Sequence, residues 1–89
     1  MWLAKVHVTL KPVVLDPQGQ AIQGGLKMLG FDSVRSVRAG KYLEIKLEAP
    51  DRREAERLVD EMCSKLLANP VIEEYRLEVL PDSGEATRR

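Results

Sequence analysis

The chain carries one histidine, His7, and one cysteine, Cys63, which are the first residues to consider for catalysis. His7 lies in an alternating segment and is predicted on its solvent-facing side, without an acid, base or metal partner. Cys63 lies beside the apolar positions of a predicted helix, where we expect a buried or half-buried thiol, since no histidine is placed to activate it. One Cys and one His cannot build a metal site. We therefore predict no catalytic, cofactor-binding or metal-binding residue.

Glycine positions and net charge argue against phosphate or nucleic-acid binding. Gly24 and Gly25 fall inside a predicted helix and Gly40 in a predicted hairpin, so none belongs to a phosphate-binding loop. Asp16 precedes a helix start that could hold an anion, but its own carboxylate is predicted to cap that end. Lys+Arg and Asp+Glu both number 14, whereas nucleic-acid binding draws on a basic excess. We therefore predict no nucleic-acid partner.

Length and composition are those of one small domain. The chain has 89 residues; we predict a single domain over residues 1–81 and a flexible tail over residues 82–89. A single cysteine makes no intrachain disulfide, which indicates a reducing cytoplasm. No apolar stretch approaches the roughly 20 residues that span a bilayer, so we expect no membrane partner.

Apolar periodicity predicts four strands and two helices. The strands are expected at residues 3–10, 32–38, 41–48 and 71–80. The first helix is predicted to begin at Asp16-Pro17 and to end at Gly30, which suits a left-handed C′ position. The second begins at Asp51 and ends before Pro70. Its predicted core stripe consists of Ala55, Leu58, Val59, Met62, Leu66 and Leu67.

This order, β-α-β-β-α-β, predicts an α+β ferredoxin-like sandwich. Its four-stranded, mainly antiparallel sheet would carry both helices on one face. Gly24-Gly25 weakens the first helix, which indicates that its backbone packs closely against something. The other face of the sheet is predicted to be polar with interleaved charges, which fits a solvated surface or a protein interface. An edge strand could pair with a second copy.

Three stretches together resemble the PurS family: residues 15–19 (LDPQG), 37–44 (VRAGKYLE) and 66–75 (LLANPVIEEY). Their order and separations agree with the family over residues 1–81, and the tail lies outside the family pattern. Gly25 stands where the family pattern leads us to expect alanine, and Arg52-Arg53 makes the second helix start more basic than is usual there. These departures concern helix packing and surface charge.

The resemblance implies a small, non-catalytic subunit of phosphoribosylformylglycinamidine (FGAM) synthase in purine biosynthesis. In that complex a glutaminase subunit releases ammonia, and a synthetase subunit uses ATP and Mg²⁺ to activate the amide oxygen of formylglycinamide ribonucleotide. PurS proteins bridge the two as homodimers and assist ammonia transfer; whether this chain forms a dimer or a tetramer stays open. No cofactor is expected on this chain itself.

Within that implied complex we predict the hairpin residues Arg38, Gly40, Lys41 and Tyr42 as a partner contact, because interfaces are enriched in Arg and Tyr. An ordinary hairpin with a glycine required by its turn is the alternative. Two other functions stay open: an amino-acid-binding regulatory domain of the ACT type, with Gly19 near the ligand position, and a plain dimerisation module.

Overall fold

A computed structural model describes residues 1–82. Its three strands form one antiparallel sheet in the order β2-β1-β3, so β1 is central. The last turn of the second helix is π-helical. The elements in chain order are β1 (Trp2–Leu10), α1 (Pro17–Met28), β2 (Gly40–Leu47), α2 (Arg52–Met62), the π-helical turn (Cys63–Leu67) and β3 (Glu73–Pro81).

Strand β1 supplies the centre of the core. Ala4, Val6 and Val8 are buried and face helix α2, whereas His7 between them is exposed on the opposite face. This alternation confirms the predicted two-residue period, in which successive side chains point to opposite faces. These three side chains form the sheet side of the core that α2 covers.

Helix α2 begins at the predicted cap and packs on β1 and β3. Asp51 accepts a hydrogen bond from the Glu54 backbone N–H at 2.8 Å, which satisfies one of the free amides of the first turn. Ala55, Val59 and Cys63 are fully buried against the sheet. The thiol of Cys63 is therefore a core group, as the sequence predicts.

The end of this helix departs from the predicted stripe. The Ala68 N–H donates to the Cys63 carbonyl at 3.0 Å, five residues back, so the last turn is wider than an α-helical turn. The wider turn rotates Leu66 out of the core line, and this side chain is 82% exposed. Leu67 lies partly buried against the core instead. The prediction that Leu66 packs in the core is wrong for this reason.

The predicted strand at residues 32–38 is absent, so the sheet has three strands where the sequence predicts four. Val34 and Val37 are out of phase for a two-residue period, so no apolar face favours a strand. The backbone forms a turn instead, with the Val34 N–H donating to the Phe31 carbonyl at 3.3 Å. The Arg35 carbonyl accepts from the Gln23 side chain at 3.3 Å, which ties this segment to α1.

Helix α1 begins and ends where the sequence predicts, but it does not lie on the face of the sheet that the sequence predicts. Gly30 adopts φ +99°, and the Phe31 N–H donates to the Leu26 carbonyl at 3.0 Å, which is the hydrogen-bond pattern of a Schellman cap. Most of the helix is exposed, and it does not pack on the sheet beside α2. The prediction of two helices on one face is therefore wrong. The molecule is elongated, 50 × 32 × 16 Å.

At the C-terminal end, the Asp82 N–H donates to the Met1 carbonyl at 3.0 Å. The rest of the predicted flexible tail, residues 83–89, lies outside the described residues. Within residues 1–82, no helix is long and apolar enough to cross a bilayer.

One hydrogen bond between α2 and β3 gives a pH-dependent prediction. The Tyr75 hydroxyl donates to Asp60 Oδ1 at 2.6 Å, and this bond to a carboxylate raises the pKa of Tyr75 to about 12. A raised pKa means that the fold favours the protonated phenol. Its stabilisation is present below the ordinary tyrosine pKa of roughly 10 and is lost as the pH rises from there towards 12.

We expect Asp60→Ala to lower the pKa of Tyr75 towards its ordinary value. The measurement is an ultraviolet absorbance titration of tyrosinate, made in a Tyr42→Phe background so that Tyr75 alone gives the signal. An unchanged titration after Asp60→Ala contradicts the assigned cause.

Candidate functional site

The four residues predicted as a partner contact lie at the start of edge strand β2, and the predicted hairpin around them does not form. The Arg38 guanidinium donates to the Leu10 carbonyl and, at 2.9 Å, to the Lys11 carbonyl. It therefore binds the end of β1 within its own chain. Gly40 opens β2 opposite Thr9.

Gly40 is required by a close approach rather than by a turn. A Cβ built on it would lie 2.3 Å from the carbonyl oxygen of Val8, far inside van der Waals contact. Its φ is not positive, so no left-handed backbone is needed there. The absent side chain lets β2 begin directly against β1, which corrects the hairpin interpretation.

Tyr42 is the most prominent side chain of the predicted contact. Its ring lies 4.8 Å from that of His7, centroid to centroid, and is 47% exposed. Its hydroxyl donates to Glu44 Oε2 at 2.7 Å, and this bond raises the pKa of Tyr42. The ring contact with His7 and the hydroxyl bond to Glu44 therefore restrain a side chain that is still largely exposed. Lys41 beside it is exposed.

The open face of the sheet carries rows of mixed charge. Lys5 pairs across the sheet with Glu44 on one side and Glu78 on the other. His7 pairs with Tyr42 and Arg76 in the next row. Cross-strand neighbours of opposite charge stabilise a sheet modestly and can set the register of a polar interface.

An apolar surface that the sequence did not predict lies on the other face. Helix α2 covers β1 and β3, so the apolar side chains of β2 remain only partly buried. Asp60 faces Tyr75 of β3, which places Leu58 and Met62, on the other side of the helix, towards β2. We use the name shelf for two groups of residues together. Leu43, Ile45 and Leu47 of β2 are partly buried against the core, and Leu58, Met62 and Leu66 line a cavity on the flank of the second helix with Glu61 and Lys65.

Helix α1 and the loop after it form a second apolar surface. Gly24 and Gly25 have no atom within 4 Å of an added Cβ, so the close packing that the glycine pair indicates is not made within the described chain. Large apolar side chains are exposed immediately before, on and after this helix: Leu15, Ile22, Met28, Leu29 and Phe31. Such a patch is typical of a protein interface.

The sequence contains signals for both apolar surfaces. The apolar stripe of α2 is broader than one packing face, and the glycine pair marks a helix surface open to close approach. Neither signal specifies what covers each surface, because that depends on the direction in which α1 extends from the sheet. The sequence-based prediction placed both helices on one face of the sheet and left open what the glycine pair packs against.

The chemistry of the described residues is that of contact surfaces. Burial raises the pKa of the Cys63 thiol, with a further contribution from Asp60, so the thiol is protonated and unsuited to nucleophilic attack. Within residues 1–82, no group of three or more His, Cys, Asp or Glu residues could hold a metal ion. Gly19 is the glycine near the ligand position of the amino-acid-binding alternative. It is buried, and an added Cβ would meet the backbone of Val37.

Comparisons with known proteins agree with one another. A family model described as "PurS: Phosphoribosylformylglycinamidine (FGAM) synthase" matches residues 3–81. The phosphoribosylformylglycinamidine synthase subunit PurS of Synechocystis is 52% identical over 83 residues, which are 93% of this chain and 83% of that protein.

Solved structures give the same result. The crystal structure of Methanocaldococcus jannaschii PurS, one of the subunits of formylglycinamide ribonucleotide amidotransferase in the purine biosynthetic pathway, is similar with a TM-score of 0.85 and 41% identity. The similarity covers 92% of this chain and 99% of that one. A chain in the structure of PurLQS from Thermotoga maritima has a TM-score of 0.80 and 31% identity, covering 90% and 99%.

Proposed function

The chain belongs to the PurS family of FGAM synthase subunits, and on this premise we propose that it bridges the glutaminase and synthetase subunits of that enzyme. It is a non-catalytic component of the complex. The observation that supports bridging is the arrangement of its surface: an apolar shelf, an exposed apolar helix and a charged sheet face surround a small core. A free thiol in that core fits the cytoplasm, where we place the complex.

The reaction explains why a bridge is needed. Glutamine gives glutamate and ammonia at one subunit, and the synthetase uses ATP with Mg²⁺ to activate the amide oxygen that ammonia then displaces. Ammonia released into water becomes ammonium, which has no free electron pair for attack. A subunit that holds the two sites in register delivers ammonia at high effective concentration. This role requires rigid surfaces and no perturbed catalytic group.

We further propose that the chain is a homodimer in which α1 of each copy lies on the shelf of the other. The shelf is an apolar corner between β2 and α2, and α1 is an amphipathic helix with its apolar side exposed. Each chain has one shelf and one copy of α1. In a dimer with a twofold axis, each α1 can therefore cover the shelf of the other chain. In a ferredoxin-like sandwich a chain's own first helix would fill that corner.

The open sheet face and the Tyr42 region then remain available for the larger subunits or for a second dimer. Arg38 and Gly40 hold the start of β2 against β1, and Lys41 and Tyr42 present the contact. We keep these four residues as the proposed partner interface: two position the start of β2, and two contact the partner.

The bridging role predicts a specific pattern of turnover. Glutamine-dependent FGAM synthesis by the two larger subunits should require this chain, because ammonia must be delivered between them. Ammonium-fed synthesis should proceed without it, since the synthetase then takes ammonia from solution. The assay measures product formation with each nitrogen source, with and without the chain.

A matched control uses unrelated protein at the same concentration. Loss of the ammonium-fed rate on omitting the chain would assign it to the synthetase chemistry and contradict the bridge. If neither rate responds, thermal stabilisation by amino acids tests the regulatory alternative.

The Tyr42 contact has its own test. Tyr42→Ala should weaken binding to the larger subunits by roughly tenfold or more, as removal of a central interface tyrosine does. Tyr42→Phe keeps the ring and loses only the bond to Glu44, so its affinity should remain near that of the wild type. Surface-immobilised synthetase and glutaminase measure both affinities. If Tyr42→Ala binds the larger subunits as tightly as the wild type does, Tyr42 is not part of the interface.

The dimer predicts unequal effects of two similar substitutions on α1. Ile22→Glu places a charge on the apolar side that the partner covers, and should weaken self-association by roughly a hundredfold or more. Gln20→Glu places the same charge on the polar side and should leave the dimer intact. Sedimentation equilibrium measures both. Equal dimerisation of the two variants shows that α1 does not lie in the interface.

A further inference from the structure

Asp16 connects helix α1 to strand β2 through both oxygens of its carboxylate. Oδ1 accepts from the Gly19 backbone N–H at 2.9 Å, which caps the helix. Oδ2 accepts from the Ala39 backbone N–H at 2.8 Å, immediately before β2 begins. The residue is only 6% exposed. The Asp16 side chain therefore bonds both the first turn of its own helix and the backbone of Ala39, which lies 23 positions further along the chain.

The backbone is closely packed around this carboxylate. A Cβ on Gly19 would lie 2.3 Å from the Val37 carbonyl oxygen, so the first turn of α1 lies directly against the segment that precedes β2. Arg38, next to Ala39, binds the end of β1 through the Lys11 carbonyl at 2.9 Å. The helix start, the end of β1 and the start of β2 thus meet at one point.

Charge favours the same arrangement. The hydrogen bonds from Ala39 and then Gly19 hold the pKa of Asp16 below its ordinary value, with a smaller contribution from Arg38. The carboxylate is therefore ionised at neutral pH and accepts on both oxygens, giving charge-assisted bonds that are stronger than neutral ones.

Beyond its first turn, α1 has little contact with the sheet. Its direction is therefore determined near its N-terminus, with the Gln23 side chain as an exposed second connection to Arg35. A rotation at that end moves the far end of the helix most. A helix of 12 residues is about 18 Å long, so a small change in angle displaces Leu29 by several ångströms.

We propose that Asp16 is a positioning residue for assembly: its two hydrogen bonds set the angle at which α1 leaves the sheet, so that the helix reaches the shelf of a second copy. This inference rests on the proposed dimer. The core under α2 does not include Asp16, so the monomer fold and the assembly are separable.

Asparagine distinguishes the two bonds of Asp16. Its single side-chain oxygen can cap the helix as well as aspartate does, but its NH₂ group is a donor and cannot accept from a second N–H. Asp16→Asn thus keeps one bond and loses the other. The carboxylate of Asp51, the N-cap of α2, accepts one hydrogen bond among the described residues, from the Glu54 N–H, so Asp51→Asn is the matched control.

The experiment is sedimentation equilibrium of the full chain, with Cys63 reactivity towards a thiol reagent as the measure of folding. Asp16→Asn should weaken self-association by about tenfold or more, since one charge-assisted bond on each copy is lost. Asp51→Asn should dimerise as the wild type does. In both variants the buried thiol should stay protected.

A second pair of variants tests the same point through sterics. Gly19→Ala places a Cβ against the Val37 carbonyl and should weaken the dimer as Asp16→Asn does. Gln20→Ala, on the polar side of the same helix, should not.

Each possible result either supports or contradicts the proposed role of Asp16. If Asp16→Asn and Gly19→Ala dimerise as tightly as the wild type, Asp16 does not position the helix. If either exposes Cys63, the contact supports the monomer fold and the proposal is wrong. A wild-type chain that is monomeric at every concentration contradicts the dimer itself, which separates that failure from a failure of Asp16 alone.

Discussion

The packing of α2 on β1 and β3 is the interaction on which the rest of the structure depends. Ala4, Val6 and Val8 of the central strand are buried beneath the helix, and the Tyr75–Asp60 bond connects one side of the helix to β3. One helix cannot cover three strands, so the apolar side of β2 is left incomplete. The chain is also too short to supply a large core by itself. These two facts together leave apolar surface exposed at this edge of the sheet, where we propose that a second copy covers it.

The structure separates tasks that are often combined in one site. Residues that hold the chain together, such as Arg38 and Gly40, lie beside residues that face outward, such as Tyr42. The charged rows of the open sheet face supply polarity and register, and the shelf supplies apolar area. For a non-catalytic subunit of FGAM synthase, this arrangement is sufficient: the chemistry belongs to its neighbours, and the chain contributes geometry.

Local patterns predicted the elements well, because they depend on near neighbours in the chain. The alternation in β1, the Asp16 and Asp51 caps and the left-handed Gly30 all follow from residue type and spacing. The path between elements could not be predicted in this way. Residues 32–38 contain valines and precede a glycine, yet their backbone bonds go to α1 and its C-terminal loop, and the predicted hairpin is lost. The shelf was missed because its two halves come from distant parts of the sequence.

The π-helical turn at Cys63–Leu67 also has an evolutionary consequence. In a regular α-helix Leu66 would point towards the sheet, and the wider turn moves it to the flank that joins the shelf. Deleting one residue from this turn would restore the regular period without changing the hydrophobicity of the segment. An insertion or deletion in this turn would therefore change the size of the apolar surface, a change that a count of substitutions does not record.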